Sequence, residues 1–449
     1  MRILLISPNT LIVPYPVYPI GLDYVAGAVS KEHEVHIADL NIISRDELEK
    51  TLAEFSPAII GISCRNIDNT DASDPLYFIK EYKKLVSWIK SRSKTVIVCG
   101  GSGFTIMPEF VLAGVDADYG IVGEGERFAL FVDAIKKGED PTEISGVISQ
   151  NSSKKQQPGP WHGEMVREFH SEAIHNQFYL ETGGMLNLQS KRGCSFNCIY
   201  CPYPSIEGRK HRLVEPEKVA QMAVDLQAAG ARYFFITDSA FNSDIDHSLA
   251  VAKAFKEKGV SIPWGGFFAP TRLPADYFAT LADGGLNHVE FGTEALSDYM
   301  LRSYRKPFTV KDVFAAHQGA LDAGLHVAHY FLLGGPGESK ASIAETMDGI
   351  DKLKKTVIFC FAGIRIYPQT TLYHMAIEEK KITSETDLLQ PVFYEADSIS
   401  RDTIETLVRK KCDKRINWII GSGGAVGAST VRKMHERGYY GPLWEYLIR

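Results

Sequence analysis

The chain has 449 residues, 49 Lys+Arg against 55 Asp+Glu, a formal net charge of −6 and 45% hydrophobic residues. At about 150 residues per domain this length predicts two or three domains, and the mild acidity excludes a strongly basic nucleic-acid binder. No run approaches the roughly 18 apolar residues of a membrane helix. The opening apolar run Ile3–Ile6 is too short for a secretory signal, so the sequence reads as a cytoplasmic protein with no integral membrane segment.

Residues 1–140 alternate strand and helix patterns. Strands are predicted at Ile3–Ser7, Glu34–Ala38, Ala58–Ser63, Thr95–Cys99 and Ala117–Val122, with helices near Pro19–Ser30, Arg45–Glu54, Pro75–Ile89 and Glu126–Lys136. Short apolar strands between helices imply an α/β fold with a parallel, doubly wound sheet, whose ligands sit beyond the carboxyl ends of the strands. Residues 141–185 read as a linker, because the stretch from Gln150 to Pro160 is polar and rich in chain breakers. Residues 186–375 alternate again, with strands at Met185–Gln189, Tyr233–Thr237, Val260–Gly265, His288–Gly292, His326–Leu333 and Val357–Ile366. Six such units suit a partial (β/α)6 barrel better than a full barrel, which typically needs about 250 residues. Residues 376–449 read as a small, mostly helical region. Gly421-Ser-Gly-Gly424 superficially resembles a dinucleotide loop, but no strand or acid follows at the right distance, and a flexible helix connection is expected instead.

The seven cysteines are an odd number, thinly spread, which argues against a disulfide framework. Cys64, Cys99 and Cys360 sit in strand-like runs, as buried thiols do. Cys194, Cys198 and Cys201 fall within eight residues. Three thiolates suit a four-iron cluster with one iron left open. Structural zinc would want a fourth ligand, for which His211 is the one nominee, although Gly208-Arg-Lys-His-Arg212 looks like a charged loop. That basic loop could equally hold an anionic group or simply be solvated.

Lys191-Arg-Gly-Cys194-Ser-Phe-Asn-Cys198-Ile-Tyr-Cys201 resembles the cluster loop of the radical S-adenosylmethionine (SAM) enzymes. The resemblance implies a [4Fe-4S] cluster on the three cysteines and reductive cleavage of SAM to a 5′-deoxyadenosyl radical. It also implies SAM contacts in register along the barrel: Tyr200 along the adenine; Thr237, Asp238 and Ser239 after the second strand; Glu294 after the fourth. Gly334 and Gly335 fall in the fifth-strand glycine segment, and Arg365 and Tyr367 in the sixth. Taken singly, the glycines would be a turn and Glu294 an acid at a helix start. Phe267, Phe268, Tyr330 and Phe331 read as core, with a lesser chance of lining an apolar substrate cavity.

Residues 1–140 in turn resemble the cobalamin-binding domain that precedes some radical SAM barrels. The resembling positions are Asn9, Thr10 and Gly21; Ser63, Arg65 and Asn66; Gly100, Gly101 and Ser102; and Gly123, Glu124, Gly125 and Glu126. Glycine lets the backbone approach a flat ligand. The Asp-x-His-x-x-Gly segment that ligates cobalt is absent, so the resemblance implies a corrin with its lower face unligated, faced by Arg65 and Asn66. The alternative is a domain that has lost its cofactor.

The expected protein is a cobalamin-dependent radical SAM methyltransferase. Its substrate would be a small molecule or lipid, methylated at an unactivated carbon, and its electron donor a flavodoxin or ferredoxin. Non-methylating radical chemistry (cyclisation, ring contraction, coupling or oxidation) is the alternative, and a non-catalytic cobalamin sensor a second one. A methylthiotransferase would need three more cysteines upstream, where only Cys64 and Cys99 lie.

Overall fold

The uniformly apolar strands of the N-terminal region are buried on both faces, and their alternate residues feed two separate cores. Ile3, Leu5, Ile59 and Val98 face one layer of helices. Leu4, Ile6, Ile60, Ile62, Ile97 and Cys99 face the other, as parallel strands between helices require. The structure is a computed structural model that describes residues 1–12, 15–150, 158–422 and 424–448.

The first sheet has strands β1 (Arg2–Ser7), β2 (Glu34–Asp39), β3 (Ile59–Ser63), β4 (Val96–Gly100), β5 (Tyr119–Ile121) and β6 (Val147–Ser149), in the order β2-β1-β3-β4-β5-β6. All pairs are parallel except β5 with β6. The reversal of order at β1 and β3 makes a crevice at their carboxyl ends. Helices run over Ile20–Val29, Arg45–Phe55, Ile79–Lys90 and Arg127–Lys137. The second of these opens with Ser44 and Glu47 bonding each other's backbone N–H, which closes the helix start.

The stretch expected as a linker carries the antiparallel strand β6 and a helix at Ile174–Gly183. Residues 151–157 of its breaker-rich run lie outside the described residues.

The second sheet contains β7 (Met185–Leu188), β8 (Tyr233–Ile236), β9 (Trp264–Phe268), β10 (Leu286–Glu294), β11 (His326–Leu333), β12 (Thr356–Ala362) and β13 (Trp418–Ile420), in the order β13-β12-β11-β10-β9-β8-β7. Six of these match the expected barrel strands. Strand β9 begins where the sequence pattern has it end, and Gly265 lies inside it, where a Cβ would stand 2.1 Å from the Tyr233 hydroxyl. The seventh strand was not expected. The region after residue 376, read as mostly helical, adds β13 parallel to β12. The Gly421 segment is therefore a strand-to-helix turn, whose Ser422 N–H donates to Asp71 at 2.7 Å; Gly423 lies outside the described residues.

The two sheets share one core. A single apolar cluster runs from Leu4 and Ile62 through Ile199 and Tyr304 to Ile366 and Ile404. Buried pairs cross the seam: Arg365 to Asp68 at 2.8 Å, Arg167 to Asp23 at 2.8 Å and Tyr179 to Asp39 at 2.7 Å.

Candidate functional site

The three cysteines follow β7 at the carboxyl end of the barrel. The loop that carries them is pinned by two adjacent buried cations that reach in different directions. Lys191 donates to Asp238 at 2.9 Å and to the carbonyls of Ala240 and Phe241 at 2.8 and 3.0 Å. Arg192 reaches the N-terminal sheet, with Glu126 at 2.8 Å and Glu124 at 3.1 Å. Gly193 follows at φ +93°, where a Cβ would stand 2.2 Å from the Lys210 carbonyl, so only glycine turns the chain here. On the far side, Ile199 bonds the Tyr304 carbonyl at 3.2 Å and accepts from Leu372 N–H at 2.8 Å.

The three cysteines share one neighbourhood, close enough that Cys194 and Cys198 act on Cys201. Burial, with Cys198 and Cys194 nearby, pushes the Cys201 thiol up to about 12, against a backbone hydrogen bond at Tyr203 that pulls it down. Burial also raises Cys198, against the opposing pull of Lys306. Cys194 is buried and Cys198 and Cys201 are half-buried, three soft sulfur donors of the kind that suit iron. His211 is elsewhere, 3.1 Å from Ser243. Of its loop, Arg209 and Lys210 are exposed, while Arg212 turns inward to Glu124 at 2.6 Å.

Beside the cysteines lies a group the sequence did not announce. Lys306 stands 2.7 Å from Glu294, which accepts from Tyr200 at 2.6 Å. Burial works against the Lys306 charge, but Glu294 and Cys198 outweigh it and the ammonium is held above its ordinary range. Glu294 is a non-glycine residue at φ +62°, a conformation that persists only where surroundings impose it. No local pattern marks Lys306; it is twelve residues from Glu294 and meets it only through the fold.

The other expected SAM positions divide into two groups. Ser239 Oγ is buried with no hydrogen-bond partner, and Thr237 bonds Leu188 O at the strand end and lines the cavity between the sheets. Unlike Ser239, Asp238 is filled by Ser190 and Lys191. Arg365 is saturated by Asp68 and the carbonyls of Ile366 and Leu388. Tyr367 is buried beside Asp68 and Cys201. Gly334, at φ +92°, bonds Glu338, and Gly335 leaves room for Tyr304, whose ring a Cβ would meet at 2.3 Å. Tyr304 in turn stands edge-on to Tyr200 at 6.1 Å. The four aromatic residues also separate: Phe268 and Phe331 are core, whereas Phe267 faces the barrel lumen, 40% exposed, with Tyr330 beside it.

A cavity of about 310 Å³ joins the two sheets. Gly21, Ser63, Arg65, Gly100, Gly101, Ser102 and the 123–126 loop line its N-terminal wall, and Gln189, Arg192, Tyr203 and Thr237 its barrel wall. Asn9, Thr10 and Asn66 do not line it. Asn9 is held by Leu11 and Asn41, Thr10 is exposed, and the Asn66 carbonyl accepts from Tyr82. Gly21 has open space where its Cβ would be. Glu124 and Glu126 turn away from a ligand role toward Arg192 and Arg212. Gly101, at φ +110°, and Gly103 admit the Cys64 and Arg65 backbone, so part of the glycine pattern serves loop packing.

The B12 binding domain family matches residues 7–130, and the Radical SAM superfamily matches residues 188–350. The chain belongs to the radical SAM enzymes that carry a cobalamin-binding domain. It is 26% identical over 395 residues to an uncharacterized methyltransferase of Pyrococcus horikoshii, spanning 84% of this chain and 83% of the relative. It is 23% identical over 417 residues to the cytidylyl-2-hydroxyethylphosphonate methyltransferase of Streptomyces wedmorensis, spanning 78% and 76%. Its fold matches that of the radical SAM methyltransferase TsrM of Kitasatospora setae, described with cobalamin and a [4Fe-4S] cluster bound. The TM-score is 0.89 at 20% identity, covering 99% of this chain and 97% of the other.

The matched families are those of radical SAM chemistry and of B12 binding, and the neighbour TsrM is described with cobalamin and a [4Fe-4S] cluster. Residues of this chain fit such cofactors: three neighbouring thiols on one loop, a buried Ser239 hydroxyl with no partner, and a cavity lined by glycine at the strand ends of the first sheet. No helix among the described residues is long and apolar enough to cross a membrane.

Proposed function

We propose that this enzyme methylates an unactivated carbon of a small-molecule or lipid substrate held between the two sheets. Cys194, Cys198 and Cys201 would hold the cluster. Ser239, Thr237, Tyr200 and Glu294 would hold SAM, with Asp238, Gly334, Gly335, Arg365 and Tyr367 bracing them from behind. The N-terminal residues 1–140 would hold cobalamin at Gly21, Ser63, Arg65, Gly100–Ser102 and Gly123–Gly125, and residues 376–449 would close the barrel. When bound, these cofactors supply the electron, the hydrogen-abstracting radical and the transferable methyl group.

The chain's own contribution is positioning. Lys191 and Asp238 fix the cysteine loop to the barrel, and Arg192 fixes it to the cobalamin wall, so the two centres are held at one separation. Lys306 places a positive charge against Cys198 and Glu294, where low dielectric strengthens its field. The aromatic wall of Phe267 and Tyr330 excludes water from the lumen. A cytoplasmic flavodoxin or ferredoxin is the expected electron donor.

One observation carries this reading: a single cavity runs from the switch-point loops of the first sheet to Thr237 and Tyr203 at the barrel mouth. The test is anaerobic reconstitution with hydroxocobalamin, SAM bearing a deuterated methyl group and a panel of candidate substrates. Transfer of labelled methyl to carbon, together with 5′-deoxyadenosine, is expected. Deoxyadenosine formation by protein that retains no corrin bands after gel filtration would sink the reading.

A further inference from the structure

A second cavity, of about 350 Å³, opens at the opposite end of the barrel, where the strands begin. Tyr233 at the start of β8, His288 at the start of β10 and His326 at the start of β11 line it, and the chain's last turn, Trp444–Leu447, covers it with Glu445. Along β10, His288 is six residues from Glu294, about 20 Å at ~3.3 Å per residue, so this space is separate from the cysteine loop.

Its polar atoms lack partners. His288 is 2% exposed, yet neither ring nitrogen has a hydrogen bond; the Tyr233 hydroxyl and Glu445 Oε2 are also buried and unpaired. Glu445 Oε2 lies 3.3 Å from His288 Nε2, but the geometry leaves both unbonded. Buried polar groups are normally satisfied, so this set points to an occupant. Acceptors predominate: a carboxylate oxygen, a phenol oxygen and, in a neutral imidazole, one ring nitrogen. No lysine or arginine lines the space, which disfavours an anion. The His288 and His326 rings are stacked, 5.2 Å between centroids and 29° apart, so their nitrogens do not converge on one metal ion. Tyr439 and Tyr446 form an edge-to-face pair at 5.3 Å on the solvent side, 44% and 55% exposed, and ring faces of this kind attract organic cations.

We propose that this cavity binds a small alkylammonium ion, its N–H groups donating to Glu445, Tyr233 and His288 and its carbon chain lying against the tyrosine rim. Trp444, beside Glu445, donates to Glu290 in the barrel lumen at 2.9 Å, which links the occupied turn to the floor of the substrate space.

The experiment titrates n-butylammonium chloride into the full-length reconstituted enzyme, with SAM saturating so that its own amine site is filled, and uses 1-butanol as the neutral control. One saturable event per chain is expected by calorimetry for the ammonium and none for the alcohol. Glu445→Gln weakens it about tenfold or more, as loss of a charged hydrogen-bond acceptor does. Tyr446→Leu, on the solvent side, weakens it several-fold. Equal heats for ammonium and alcohol would overturn the proposal, as would unchanged affinity in Glu445→Gln. If Glu445→Gln does not fold, unchanged affinity in Tyr446→Leu overturns it alone.

Discussion

The two walls of the cofactor cavity are built on opposite principles. On the N-terminal side the strand ends present backbone, glycine and Arg65, and the carboxylates there, Glu124 and Glu126, are committed to pairing across the seam. On the barrel side the wall of Gln189, Arg192, Tyr203 and Thr237 is backed by a barrel whose strand ends hold buried, partnered charges: Lys191 with Asp238, and Lys306 with Glu294. A large flat cofactor is received by removing side chains, whereas a small reactive centre is held by crowding charges around it. The difference implies that the first wall is sensitive to added bulk and the second to lost partners.

The largest expected effect is from Cys198→Ala. It should abolish bound iron and 5′-deoxyadenosine formation while corrin absorption is retained, because the two walls use different atoms. Iron analysis and visible spectra of the same sample check this, and loss of both cofactors together would break the comparison. Next is Lys306→Met, which leaves Glu294 as an unpaired buried charge; stability should drop by about 3–5 kcal/mol, read as a lower denaturant midpoint. Adding Glu294→Gln should recover most of that loss without restoring SAM cleavage.

Arg192→Met comes third. Stability falls on the order of 3 kcal/mol, since Arg212 still covers Glu124. Lys191 keeps the cysteine loop on the barrel, so SAM cleavage persists while labelled methyl transfer falls, and parallel assays of the two products separate these roles. The smallest stability effect belongs to Gly21→Leu. Glycine near the start of a helix gives way to a better helix former worth up to ~1 kcal/mol, and the new side chain enters open space. Thermal stability should hold or rise while corrin retention is lost; retained corrin would remove Gly21 from the cobalamin wall.

Much of this was legible in the residues. The positions of most strands and the parallel α/β character of both sheets followed from alternating apolar runs, and Cys194, Cys198 and Cys201 stood out by their spacing. The 123–126 loop was harder. Gly-Glu-Gly-Glu reads as one ligand-binding segment, but its carboxylates belong to Arg192 and Arg212, which lie 66 to 88 positions away. Ser239 and Asp238 are neighbours of similar polarity; only the fold shows the first unpartnered and the second filled. Strand β13 was missed because three residues with ordinary flanks carry too little periodicity to stand out.

The sequence by itself determined the chemistry: a thiolate trio with one vacancy, glycine at strand ends, and apolar strands buried on both faces. Those features depend on residue type and near-neighbour spacing, which the chain order states directly. The tertiary structure decided which charges face which. Lys306 meets Glu294, Arg192 meets Glu126 and Arg365 meets Asp68 through the fold, and the energy of a buried charge depends on distance and dielectric rather than on position along the chain.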